Sequence, residues 1–277
     1  MPEWMGLLAA ALPPPTQHVQ LHFKEYGRGR AVILLHGLFG SSDNWHSLAL
    51  RLSSSFHVLV LDQRNHGQSP HSDRMSYELM AADVAALMDS RGIGSAAVLG
   101  HSMGGKTAMQ FALQFPDRVE RLIVVDMAPR AYAPVHKGVM AALLALDLKL
   151  FSTRQAIEDA LAPEIPDVSV RRFLVKNIGT TPGAGFFWKL NLRGLLDQNE
   201  SLYRPVSPPP SGAGPFSKPG LFVRGGKSDY LGPDDEPLIR SLFSNAEIRT
   251  VPEAGHWVHA DAPEAFLRMV LDFLKAE

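Results

Sequence analysis

The sequence predicts an α/β fold with a mostly parallel central sheet, and three observations carry that prediction. Short apolar runs recur at 31–35, 56–61, 96–99 and 122–125, the pattern of strands buried on both faces. Helical spacing fills the gaps between them, so consecutive strands are joined by crossovers and run parallel. Further runs at 220–224 and 247–251 and a closing helix at 266–275 repeat the pattern after an interruption.

Each element has its own warrant. Residues 18–25 alternate polar and apolar side chains, as an edge strand does. Ser76 is placed to cap a helix running through Leu87, with apolar residues three and four apart. A second helix follows Ser102 and ends before Pro116. The stretch from about 130 to 202 reads as helices at 135–148, 153–161 and 168–177, with no convincing strand. Residues 205–219, rich in Pro, Gly and Ser, read as a linker. The expected division is a core of residues 1–129, a helical cap of 130–205 over the sheet's carboxyl edge, and the rest of the core in 206–277.

Composition narrows the function. The 277 residues carry a net charge of −1 and no cysteine. Neither charge sign dominates, which argues against a nucleic-acid surface. The lack of cysteine excludes disulfides, thiolate metal sites and a Cys nucleophile. The apolar run 4–12 precedes Pro13-Pro14-Pro15 and follows Glu3. It is too short to span a bilayer and lacks a basic leader. It reads as a surface-packed extension, residues 1–17, and cytoplasmic location is the default expectation. Oligomeric state is not legible.

Gly100-His101-Ser102-Met103-Gly104 fits G-x-S-x-G, directly after an apolar strand and directly before a helix. That context makes Ser102 a candidate nucleophile on a strained turn, where side chains flanking it would collide. The N–H of Met103, opening the helix, then points where an oxyanion would form. His36-Gly37-Leu38-Phe39-Gly40 follows an earlier strand and offers a second donor. The N–H of Leu38 is the choice, with Phe39 the neighbouring alternative.

His256, after the last strand, is the candidate base among 11 histidines. His259 is its nearest rival but lacks a preceding glycine. His256-x-x-His259 with Asp261 has a metal-like spacing, yet the Ser102 turn accounts better for His256, so no metal or cofactor is expected. The base needs a carboxylate to fix its tautomer. Asp126, ending one strand, and Asp229, following another, both satisfy the chain order Ser, Asp, His.

Three runs together resemble the α/β-hydrolase superfamily: Leu34-Leu35-His36-Gly37-Leu38-Phe39-Gly40-Ser41, Asp62-Gln63-Arg64-Asn65-His66-Gly67-Gln68-Ser69 and Gly100-His101-Ser102-Met103-Gly104-Gly105. Asn65 stands where the commoner pattern has glycine. With Val125-Asp126-Met127-Ala128-Pro129 and Gly255-His256-Trp257-Val258-His259-Ala260-Asp261, it resembles one subfamily. That group holds small bacterial esterases and thioesterases of short acyl chains and a related animal mitochondrial hydrolase. The resemblance runs from about Val19 to the end and is weakest in the cap and linker. It implies the α/β-hydrolase fold, an acid at Asp126 and an assisting serine at Ser228. Asp229 departs from the subfamily, standing where the wider superfamily has its acid, so both stay open.

The expected activity is hydrolysis of small carboxylic esters, of short to medium acyl chains, through an acyl-enzyme. Thioester, C–C, small-amide or perhydrolytic chemistry, or a slow-turnover small-molecule receptor, would use the same residues. Phe39, Met103, Trp257 and the cap residues Phe186, Phe187 and Trp188 are candidates for the pocket wall. Asp62, Arg64 and His66 read as a structural loop.

Overall fold

The structure is a computed structural model that describes residues 18–276, except 182, 184 and 209–212. The apolar run 4–12 therefore lies outside the described residues. Seven strands form the central sheet: β1 (Phe23–Tyr26), β2 (Ala31–Leu35), β3 (His57–Leu61), β4 (Ala96–His101), β5 (Val119–Val125), β8 (Gly220–Gly225) and β9 (Ala246–Val251). Their order is β1-β3-β2-β4-β5-β8-β9. β1 pairs antiparallel with β3, and every other pairing is parallel.

The strands read as continuous apolar runs because each face of the sheet is covered. Ile33 and Leu35 point into one core with α2 (Tyr77–Ser90), α3 (Met103–Gln114) and α9 (Glu236–Leu242). Val32 and Leu34, one residue out of phase, point into the other with α1 (His46–Leu52) and α11 (Pro263–Lys275). Ser76 caps α2 by accepting from the Leu79 N–H at 3.3 Å, and α2 runs on to Ser90. The chain moves from β2 to β3 on one side, then to β4 on the other. The two loops at that switch, after β2 and after β4, are where sheets of this kind open a crevice.

Between β5 and β8 lie α4 (Lys137–Ala145), α5 (Arg154–Ala160), α6 (Val168–Val175), α7 (Leu192–Asp197) and α8 (Asn199–Tyr203). Side chains of this insert, including Met140, Leu174 and Leu195, form a third core with Phe39, Met75, Tyr77 and Met103 at the sheet's carboxyl edge. One expectation fails here. The insert contains an antiparallel pair, β6 (Ile178–Thr181) with β7 (Gly185–Trp188). Each strand has four residues, contains a glycine and is half exposed, so neither shows a buried run or a clean alternation. Gly179 faces Phe187 across the pair, and its missing side chain makes room for that ring. The expected linker is partly built into the core: Phe216 is buried and its N–H donates to Leu242 O at 2.9 Å. No helix among the described residues is long and apolar enough to cross a membrane.

Candidate active site

Ser102 sits between β4 and α3 at φ 54°, a conformation that costs an L-residue on the order of 1–3 kcal/mol and persists only when its surroundings impose it. The glycines around it have no room for a side chain. A Cβ on Gly100 would lie 2.0 Å from Gly104 O, and one on Gly104 would lie 2.5 Å from Leu35 O. The chain at Ser102 is tied back by its own N–H, which donates to Val125 O at 3.1 Å.

His256 follows β9 and precedes α10 (Val258–Asp261). Its Nε2 lies 3.0 Å from Ser102 Oγ, and its Nδ1 lies 2.7 Å from Asp126 Oδ2. Asp126 comes directly after β5, fully buried and at φ 50°. Its Oδ1 accepts the Gly225 N–H at 2.9 Å, and Ser228 Oγ donates to Oδ2. Tyr230 stacks on the His256 ring at 4.0 Å, and its N–H donates to Ser228 Oγ at 3.3 Å. His101 Nε2–H donates to the His256 carbonyl at 2.9 Å, so the base is held at its ring face, its ring nitrogens and its backbone.

Asp229 stands apart. It is exposed, beside Arg130, Arg224 and Asp235 in a separate depression. Its carbonyl accepts from Arg130 at 3.3 Å, and among the described residues its carboxylate has no hydrogen-bond partner.

Two buried, neutral histidines shape the loop after β2. His66 Nδ1–H donates to Arg64 O at 2.9 Å, which leaves Nε2 to accept the Phe39 N–H at 3.2 Å. His36 donates to Gly37 O at 2.8 Å and accepts from Gln63 N–H at 3.0 Å. Burial lowers both from their ordinary value, His66 to about 3. From the insert, Asn177 Nδ2 donates to Phe39 O at 2.7 Å. Phe39 is thereby bonded at both ends of its backbone, while the N–H groups of Leu38 and Met103 have no partner among the described residues. Asp62 accepts from Ser42 N–H at 2.6 Å and from Gln68 N–H at 2.9 Å. Arg64 forms a buried ion pair with Asp83 at 2.7 Å. Asn65 takes the left-handed conformation, φ 67°, that a glycine would otherwise supply. Its Oδ1 also accepts from Asn191 of the insert at 3.0 Å.

A cavity of about 260 Å³ opens beside Ser102 and His256, lined by Phe39, Leu38, Val139, Phe173 and Trp257 among others. Phe187 and Trp188 do not line it. Strand alternation turns Phe187 outward, 46% exposed, and packs Trp188 against the third core. Phe186 packs there too, with Arg154 over its ring. No sequence signal marks Tyr230 or Phe173, which reach the site through long-range packing alone. His259 lies against Trp45 at 4.4 Å and His101 at 4.9 Å, and burial lowers it to about 4.

A strained serine between strand and helix, beside an imidazole, a buried carboxylate and an apolar cavity, defines a hydrolase-type site. The chain belongs to the α/β-hydrolase fold family, whose model matches residues 30–263. It is 41% identical to the sn-1-specific diacylglycerol lipase ABHD11 of Mus musculus over 252 residues, 88% of this chain and 80% of that protein. It is 33% identical to Esterase YbfF of Escherichia coli, covering 88% of this chain and 92% of that one. Among solved structures, a marine microorganism esterase superposes with a TM-score of 0.88 at 41% identity, covering 92% of this chain and 99% of that one.

Proposed function

We propose that this protein is a serine carboxylesterase that cleaves small carboxylic esters of short to medium acyl chains through an acyl-enzyme. The observation that carries the reading is the contact chain from Ser102 Oγ through His256 to the buried Asp126, at 3.0 and 2.7 Å, beside an apolar cavity. The esterase and lipase names of its relatives support the same class.

In this reading, His256 Nε2 takes the Ser102 proton as Oγ attacks the ester carbonyl. The unpartnered N–H groups of Leu38 and Met103 receive the oxyanion. His256 passes the proton to the leaving alkoxide, and a water it then deprotonates releases the acid and restores Ser102. Asp126 is held in place by the Gly225 N–H and the Ser228 hydroxyl, both of which donate to its carboxylate. It holds Nδ1–H and steadies the imidazolium. Residues 130–205 serve as the cap, fixing the oxyanion loop through Asn177 and walling the cavity with Val139 and Phe173.

The test is single-turnover acylation with a nitrophenyl acetate. A burst of nitrophenol matching the enzyme concentration, with acetyl on Ser102 by mass spectrometry, supports the reading. Steady hydrolysis without Ser102 acylation refutes it.

A further inference from the structure

Lys106 lies one turn along α3 from Ser102, and its residue is 1% exposed. Its Nζ donates to Arg204 O at 2.5 Å and lies over the rings of Tyr132 at 4.8 Å and Tyr77 at 5.5 Å. Among the described residues no carboxylate pairs with it. An ammonium has three N–H donors, so two remain without a hydrogen-bond partner. Burial lowers Lys106 to about 7, and the nearby Arg130 pushes the same way. A buried cation is ordinarily paired, since desolvation without a partner is costly. Lys106 instead borders a small cavity of about 30 Å³, room for a carboxylate group, shared with Ser102, Met103, Tyr77, Tyr132 and Tyr203.

We propose that Lys106 anchors a polar subsite beside Ser102 that selects esters carrying a carboxylate on the arm entering this cavity. The bond to Arg204, at the end of α8, accounts for one N–H as a structural tie. Together with the two tyrosine faces it leaves the ammonium without an anion, and it does not account for the cavity shared with the nucleophile. A substrate carboxylate would supply the missing counter-charge, with the tyrosine rings enclosing the arm that bears it. The proposal depends on the ester-hydrolase reading for turnover but not for binding.

Binding therefore tests it first, by calorimetry on Ser102→Ala protein. Monomethyl glutarate is compared with methyl butanoate, which places the charge on the acyl arm. 3-Acetoxypropanoate is compared with propyl acetate, which places it on the alcohol arm. In one of the two pairs the charged ester binds on the order of ten- to a hundredfold tighter, the value of a charge-assisted hydrogen bond. Lys106→Met in the same background abolishes that preference, whereas a purely structural lysine would weaken charged and neutral esters alike. No charge preference in either pair with Lys106 intact overturns the proposal, whether or not the Met variant folds. So does a preference that survives in Lys106→Met. The ratio of kcat/KM within each pair for the Ser102 protein separates the two ideas. Turnover without charge selectivity sinks the subsite and spares the esterase. Charge-selective binding without turnover does the reverse.

Discussion

Asp126 reaches His256 across 130 residues of sequence, its Oδ2 2.7 Å from Nδ1. It does so from the end of β5, while Asp229, after β8, is exposed and turned to a different depression. Replacing Asp126 by Asn should lower kcat by about 10⁴, the cost of a wrongly held tautomer in a serine protease. Asp229→Asn should stay within a few-fold. Steady-state kinetics of the two variants on one nitrophenyl ester decides, and equal losses would contradict the assignment.

Ser228 donates to the same carboxylate oxygen that faces His256. Ser228→Ala removes one of the bonds that position the Asp126 carboxylate against His256. kcat/KM on a nitrophenyl ester at neutral pH should fall roughly tenfold, about one hydrogen bond to a charged group. An unchanged kcat/KM would show that Ser228 only buttresses the loop.

The buried histidines make stability pH-dependent. Burial lowers His36, His66, His101 and His259, with His66 near 3 and His259 near 4. Their unfolded pKa values lie near 6.5. Below that, the unfolded chain binds protons that the folded chain does not, so stability falls as pH drops from about 6.5 toward 4. Thermal unfolding followed by calorimetry should show uptake of more than one proton in this window. A Tm flat across it would contradict the neutral, buried state of these rings.

Asn65 holds a positive φ and ties the loop after β3 to Asn191 of the insert. Asn65→Ala must keep the left-handed backbone without the side-chain bonds. It should lose about 1–3 kcal/mol of stability. Asn65→Gly, which adopts that backbone freely, should lose less. Denaturant unfolding of both variants checks the order, and Gly costing more than Ala would contradict it.

Much of this was legible because the central strands are buried on both faces and so read as unbroken apolar runs. The turn at Ser102 is legible for a different reason: Gly100 is demanded by Gly104 within the turn and Gly104 by the backbone at Leu35 and His36, and both glycines fall two residues from Ser102, so the pattern sits in one short stretch. The choice between Asp126 and Asp229 was not local, since it depends on how β5, β8 and the loop after β9 meet. The β6–β7 pair is not legible in the sequence because its strands are short, half exposed and glycine-bearing. Lys106 left a faint trace, a lone charge in a helix whose neighbours are all buried. Sequence patterning marks such a residue as odd without saying what it faces.

In the proposed function Ser102, activated by His256, is the nucleophile of an esterase. Hydrolysis of nitrophenyl esters from acetate to palmitate, by wild type and by Ser102→Ala, tests it most directly. Rapid turnover of the shorter esters is expected, with a loss of about 10⁶ in kcat for Ser102→Ala, the size found when a serine hydrolase loses its nucleophile. Equal activity of the two proteins, or no ester cleaved by wild type, would contradict it.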